Sequence, residues 1–90
     1  MSEASFNKIE NGLPTVGRIV HFFTSDKSKH SNGLANGPYA AIVTQVFPGQ
    51  NKAANLKVFP PFKTPYDEGS VALHDPVHDP ERYWCWPPRV

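Results

Sequence analysis

Apolar residues recur at every second position in short stretches of this chain, and runs of Gly, Pro, Asn, Asp and Ser separate the stretches. That is the pattern of short strands joined by turns. Residues 16–23 are rich in β-branched and aromatic side chains, which suit a pleated, half-buried surface. Alternation puts Val16, Arg18, Val20 and Phe22 on one face and Ile19, His21 and Phe23 on the other. Both faces are partly apolar, so this strand is expected to pack on two sides or to meet another subunit. Residues 39–47 form the clearest strand, with Ala40, Ile42 and Val46 on one face and Tyr39, Ala41, Val43 and Phe47 on the other. A third strand is predicted over residues 54–59, with Leu56 and Val58 facing inward. Pro60-Pro61 stops it, because neither proline can donate to a ladder.

A fourth strand is predicted over residues 70–74, through Val71 and Leu73, and a fifth over residues 83–86, closed by Pro87-Pro88. Residues 24–38 read as a long polar loop, and such loops in small domains are either functional or mobile. Residues 62–68 read as a second loop, rich in proline and charge. The near-repeat His74-Asp75-Pro76 and His78-Asp79-Pro80 reads as consecutive turns. Residues 1–14 form a polar lead-in, with room for one helical turn over 5–11, and residues 15–90 form a single small domain. The expected fold is mostly β: a five-stranded antiparallel barrel or bent sheet with little helix.

Ten prolines and six glycines among 90 residues favour turns over long helices. A chain of this size leaves about 60–65% of its unfolded surface to be buried, so self-association is expected to widen a thin margin of stability. Nine basic against eight acidic side chains give a net charge of +1, which does not describe a non-specific DNA binder. A single cysteine, Cys85, allows no internal disulfide and no thiolate zinc site, and suits a reducing cytosol. The lead-in has no apolar core of a signal peptide, and the longest apolar run, Tyr39 to Val43, is far too short to cross a membrane.

Four pieces of the chain carry a resemblance: Thr15 to Phe22 (TVGRIVHF), Ala40 to Thr44 (AAIVT), Leu56 to Phe59 (LKVF) and Trp84 to Pro87 (WCWP). In that order they resemble a group of small, mostly uncharacterised tailed-phage proteins with the pattern TVGRIVHY, AAIVT, LxVF and WHWPE. The likeness covers residues 14 to 88. It implies phage or prophage origin and a β-rich fold; the expected place of work is the host bacterial cytoplasm. The chain departs from the pattern at Cys85, where the group has histidine, and at Pro88, where it has an acid. By analogy of class, the chain is similar to viral sponges, which oligomerise and sequester the nucleotide signals of bacterial immunity.

Catalytic chemistry finds little footing. His74 and His78 stand four apart, but Pro76 and Pro80 keep them off a helix, so no metal site is expected. Cys85 between two tryptophans reads as an inert buried thiol. Neither a Gly-rich phosphate loop, a G-x-S-x-G elbow nor a carboxylate pair occurs in the chain. No catalytic residue and no cofactor are assigned.

The aromatics carry more. Trp84 and Trp86 share one side of a strand and Tyr83 and Cys85 the other, and a tiny barrel can bury only one of those sides. Planar rings beside cations suit nucleobases and phosphate. The candidate ligand-binding set is therefore Phe23, Tyr39, Trp84 and Trp86 for stacking, Arg18, Lys63 and Arg82 for phosphate, and His21 as a hydrogen-bond donor. Arg89 is a further candidate cation, and Lys27, Lys29, His30 and Asn32 are donors in the long loop. The expected partner is a small nucleotide, of the cyclic di- or trinucleotide or cyclic ADP-ribose type, bound by a homo-oligomer. The alternative is a virion component or host-protein inhibitor that binds through an aromatic face.

Overall fold

A computed structural model describes residues 13–49, 52–74 and 81–88 of the chain. Five strands alternate with turns: β1 (Ile19–Thr24), β2 (Tyr39–Val46), β3 (Ala54–Phe59), β4 (Tyr66–Val71) and β5 (Arg82–Cys85). They form one sheet in the order β4-β3-β2-β1-β5, every neighbouring pair antiparallel. The only helical segment among the described residues is a short 3₁₀ turn, Lys27–Lys29. The lead-in up to residue 12 and the second His-Asp-Pro turn lie outside the described residues, as does Arg89.

The sheet curls into a half-barrel. Residues that follow β4 swing round to meet β5, where Leu73 and Trp84 form a parallel bridge. The Trp84 N–H donates to the Ala72 carbonyl at 3.0 Å, and the His74 N–H donates to the Trp84 carbonyl at 2.8 Å. This is the seam of the half-barrel, joined at one end and diverging towards the start of β5.

The inner face follows the two-residue period of the strands. Val20 and Phe22 of β1, Tyr39, Ala41 and Val43 of β2, Ala54, Leu56 and Val58 of β3, Val71 of β4 and Trp84 of β5 make the core. Of the two faces of β2, the Tyr39 side is the buried one. Trp84 closes the core at the seam. Its ring N–H donates to the Lys52 carbonyl at 3.1 Å, and Trp86 meets it edge-on with centroids 5.1 Å apart.

Two strands, β1 and β4, differ from the sequence pattern by more than one residue. Residues 15–18 make a turn, with the Arg18 N–H donating to the Thr15 carbonyl at 3.0 Å, so β1 begins at Ile19 and runs on to Thr24. The fourth strand covers Tyr66–Val71 and not 70–74, so most of the expected loop at 62–68 ends before it and its last residues are strand. The reason is physical. The inward positions of β4 hold Tyr66 and Glu68 where an aliphatic would announce a strand, and the register shifts opposite residues 54–56. Ser70 takes a left-handed φ of 52° there, and its N–H donates to Asn55 Oδ1 at 2.8 Å.

Replacing Trp84 by Ala removes the largest buried side chain and its hydrogen bond to the Lys52 carbonyl. The expected cost is about 3–5 kcal/mol, read as a lower urea midpoint by circular dichroism. Trp86→Ala, at a half-buried ring, should cost less.

Candidate functional site

The chain between β1 and β2 folds into a strap across the end of the half-barrel where β1 finishes. Asp26 starts the 3₁₀ turn by accepting from the Ser28 N–H at 3.0 Å and the Ser28 hydroxyl at 2.7 Å. Those bonds hold its carboxyl below the usual range. The Asp26 N–H in turn donates to Thr24 Oγ1 at 3.1 Å, and His30 Nε2 donates to the Thr24 carbonyl at 2.8 Å. Gly37 must be glycine: its φ is 131°, and a Cβ would stand 2.8 Å from the Phe22 carbonyl oxygen.

Side chains then tie the strap to the β3–β4 turn. The Ser31 hydroxyl donates to the Pro61 carbonyl, and Lys63 Nζ donates to the His30 carbonyl at 2.6 Å. The Tyr39 hydroxyl accepts from the Ser31 N–H at 3.0 Å and donates to the Ala35 carbonyl at 2.6 Å. The long loop is thus a built element, fastened from several sides.

Its strongest tie is electrostatic. Glu68 on the inner face of β4 is only 5% exposed, and both of its oxygens are bonded to cations. Lys29 Nζ of the strap lies 2.5 Å from Oε2, and Arg82 Nη1 of β5 lies 3.1 Å from Oε1. Arg82 spans the seam to reach it. An arginine has five N–H donors, so the bond to Glu68 orients the Arg82 guanidinium without engaging all of them.

A cleft of about 430 Å³ opens beside this cluster, lined by Thr24, Ser25, Asp26, Lys29, Glu81 and Arg82. A second hollow of about 300 Å³ is lined by Ser70, Val71, Ala72, Glu81 and Arg82. Glu81 and Arg82 belong to both, so the start of β5 stands between the two hollows.

Tyr66 faces the same end of the barrel, with Lys29 Nζ 5.5 Å from its ring centroid. Its hydroxyl is buried without a hydrogen-bond partner. Burial first, then the negative charge of Glu68, pushes the phenol up to about 12. Burial also raises the Cys85 thiol, which removes it further from nucleophilic work.

The residues expected to bind ligand do not converge. Tyr39 and Trp84 are fully buried core rings, so neither face is open to a base. Trp86 packs on Trp84 at the other end of the barrel, beneath the Arg18 guanidinium at 5.4 Å. Lys63 holds the strap. His21 and Phe23 lie on the outer face, opposite Cys85 and Tyr83 in the β1–β5 register. There Phe23 stacks on Tyr83 at 5.0 Å, and His74 leans on the other side of Tyr83 at 4.3 Å. Arg82 alone of the set lines the cleft, joined by Lys29 from the long loop. Glu68, Glu81, Asp26 and Tyr66 went unread, because nothing in their local sequence marks them.

A scan of protein-family models, a search of curated proteins and a search of solved structures each found no match to this chain. Among the described residues, no group of three or more His, Cys, Asp or Glu is placed to hold a metal, and no helix is long and apolar enough to cross a membrane.

The cluster predicts an asymmetry. Removing both cations (Lys29→Ala with Arg82→Ala) strands a buried carboxylate and should cost about 3–5 kcal/mol. Glu68→Gln should cost clearly less, because Lys29 and Arg82 are 35% and 40% exposed and can turn to water. Urea titrations of the two variants decide the order. Tyr66 gives a pH signature. A phenol raised from 10.0 to about 12 stabilises the fold fully below pH 10.0 and loses that contribution as pH rises towards 12. Thermal midpoints of the wild type should therefore fall more steeply over that window than those of Tyr66→Phe, which below it should be as stable or more so.

Proposed function

We propose that this chain is a phage-encoded, non-enzymatic binding module that captures a small nucleotide-derived ligand in the cleft at the start of β5. One observation carries the reading: Arg82, oriented by a buried carboxylate, lines a cleft of about 430 Å³ together with Lys29. Sites for small molecules run from about 300 to 1,000 Å³. The mixed lining suits a nucleotide better than a bare anion. Arg82 and Lys29 supply donors for phosphate, while Asp26 and Glu81 supply carboxylates of the kind that accept from ribose hydroxyls. Nothing among the cleft's described residues is arranged as a nucleophile with a base, which suits capture without turnover. Sequestering an immune signal in this way would blunt host defence.

A different observation favours a second reading. The outer face carries an apolar surface across the central strands. Ile19, 54% exposed, pairs with Ile42, and Ala40 lies between His21 and Phe59. With the Phe23–Tyr83–His74 stack this makes a surface fit for a protein, as in a virion component or host-protein inhibitor.

Thermal unfolding against cyclic di- and trinucleotides, cyclic ADP-ribose isomers and plain nucleotides separates the two. A ligand at ~100 times its dissociation constant should add about 2.7 kcal/mol and raise the midpoint by many degrees. Arg82→Ala should abolish the shift, and intact ligand should be recovered after heat denaturation. A flat panel would remove the nucleotide reading and leave the outer face as the working surface.

A further inference from the structure

The arrangement of the two hollows says more about the ligand than either hollow alone. β5 pairs with β1 along its length and bridges to the residues that follow β4 at Trp84, so its first residues stand between two hollows. On the β1 side lies the larger hollow, walled by Thr24, Ser25, Asp26 and Lys29. On the β4 side lies the smaller one, walled by Ser70, Val71 and Ala72. Arg82 and Glu81 are the shared wall. A ligand that fills both must carry two bulky arms and a narrow centre, and that centre must pass Arg82.

Charge narrows the class. Around the shared wall stand two cations, Lys29 and Arg82, and three carboxylates, Asp26, Glu68 and Glu81. Glu68 already draws on both cations. A ligand with several phosphates would meet an excess of negative charge in a site with few spare donors. A single phosphate, placed at the remaining N–H groups of Arg82, meets less repulsion at this wall than several would.

We infer that the site takes a dinucleoside joined by a single phosphodiester, with the phosphate at Arg82 and one nucleoside in each hollow. This rests on the nucleotide reading and sharpens it. Asp26 and Glu81 then accept from ribose hydroxyls in the larger hollow. In the smaller hollow the half-buried Ala72 offers apolar contact to a sugar or base.

The experiment is calorimetric titration of the full chain with the dinucleoside monophosphates adenylyl-adenosine and guanylyl-guanosine, against AMP, GMP and cyclic trinucleotides. The dinucleoside monophosphate should bind roughly 10-fold or more tightly than the matching mononucleotide, since only it reaches both hollows. Ala72→Leu narrows the smaller hollow and should bring the dinucleoside down to mononucleotide affinity without weakening the mononucleotide. Should Ala72→Leu fail to fold, the wild-type ratio of the two affinities decides by itself. Equal affinity for AMP and the dinucleoside, or tighter binding of the triply charged cyclic ligand, overturns the two-armed inference while nucleotide capture stands. Binding of none of these, with no thermal shift from any other nucleotide, overturns both.

Discussion

One buried carboxylate organises the end of this molecule where the strap, β4 and the start of β5 meet. Glu68 has no aliphatic alternative in its role: it sits on the inner face of β4 and draws Lys29 from the strap and Arg82 from β5 towards one point. Three segments far apart in the chain are fixed by one side chain. Desolvating a carboxylate is costly, and replacing such a cluster by apolar side chains is often neutral or stabilising. The geometry of the cluster is therefore better explained by what it positions than by what it contributes to stability. It aims Arg82 across the seam, and it holds the strap against the barrel.

The curl of the sheet explains why two apolar faces are tolerated. A flat five-stranded sheet would leave one apolar side bare on each surface. Here the inner residues close on one another, with Trp84 plugging the seam, and the outer rows through Ile19, Ile42 and Phe59 stay on the outside of the sheet. Those rows lie on strands whose backbone groups are already paired with their neighbours. Their charged border is self-neutralised, with Lys57 and Asp67 3.2 Å apart. Contact there would be governed by shape and apolar area, whereas contact at the cleft is governed by charge. The molecule thus presents an apolar outer face and, at one end of the half-barrel, a charged cleft.

Much of this fold is legible in the sequence. The alternation of Tyr39, Ala41 and Val43, and of Ala54, Leu56 and Val58, marks β2 and β3 because their inward residues are apolar. The shared side of Trp84 and Trp86 follows from spacing alone. β4 is hidden, since Tyr66 and Glu68 take the inward places and a bulge breaks the period before Val71. The site is legible only in part. Arg82 is recognisable as a cation near aromatics, but its partner is fourteen positions away, and no local rule joins them. The strap is readable as a long loop that needs a reason to exist. Its fastenings are not readable, because Ser31 and Lys63 hold main-chain carbonyls, which every sequence possesses. Tyr39 and Trp84 resemble ligand platforms in sequence and are core rings in space, a distinction that alternation cannot draw when both sides of a strand are aromatic.

The place of β5 in the sheet bears on when the molecule becomes competent. β1 through β4 pair with their sequence neighbours, so their contacts are comparatively local and can form as the chain emerges. β5 is the exception: it must return to β1, past everything made in between, and pays the larger closure entropy. It also brings Trp84 to the core and Arg82 to the cleft. Until β5 has been synthesised and docked, a nascent chain has neither a sealed interior nor a shared wall between the two hollows. Completion of the core and assembly of the cleft are thus one event, and an incompletely folded copy lacks the site altogether.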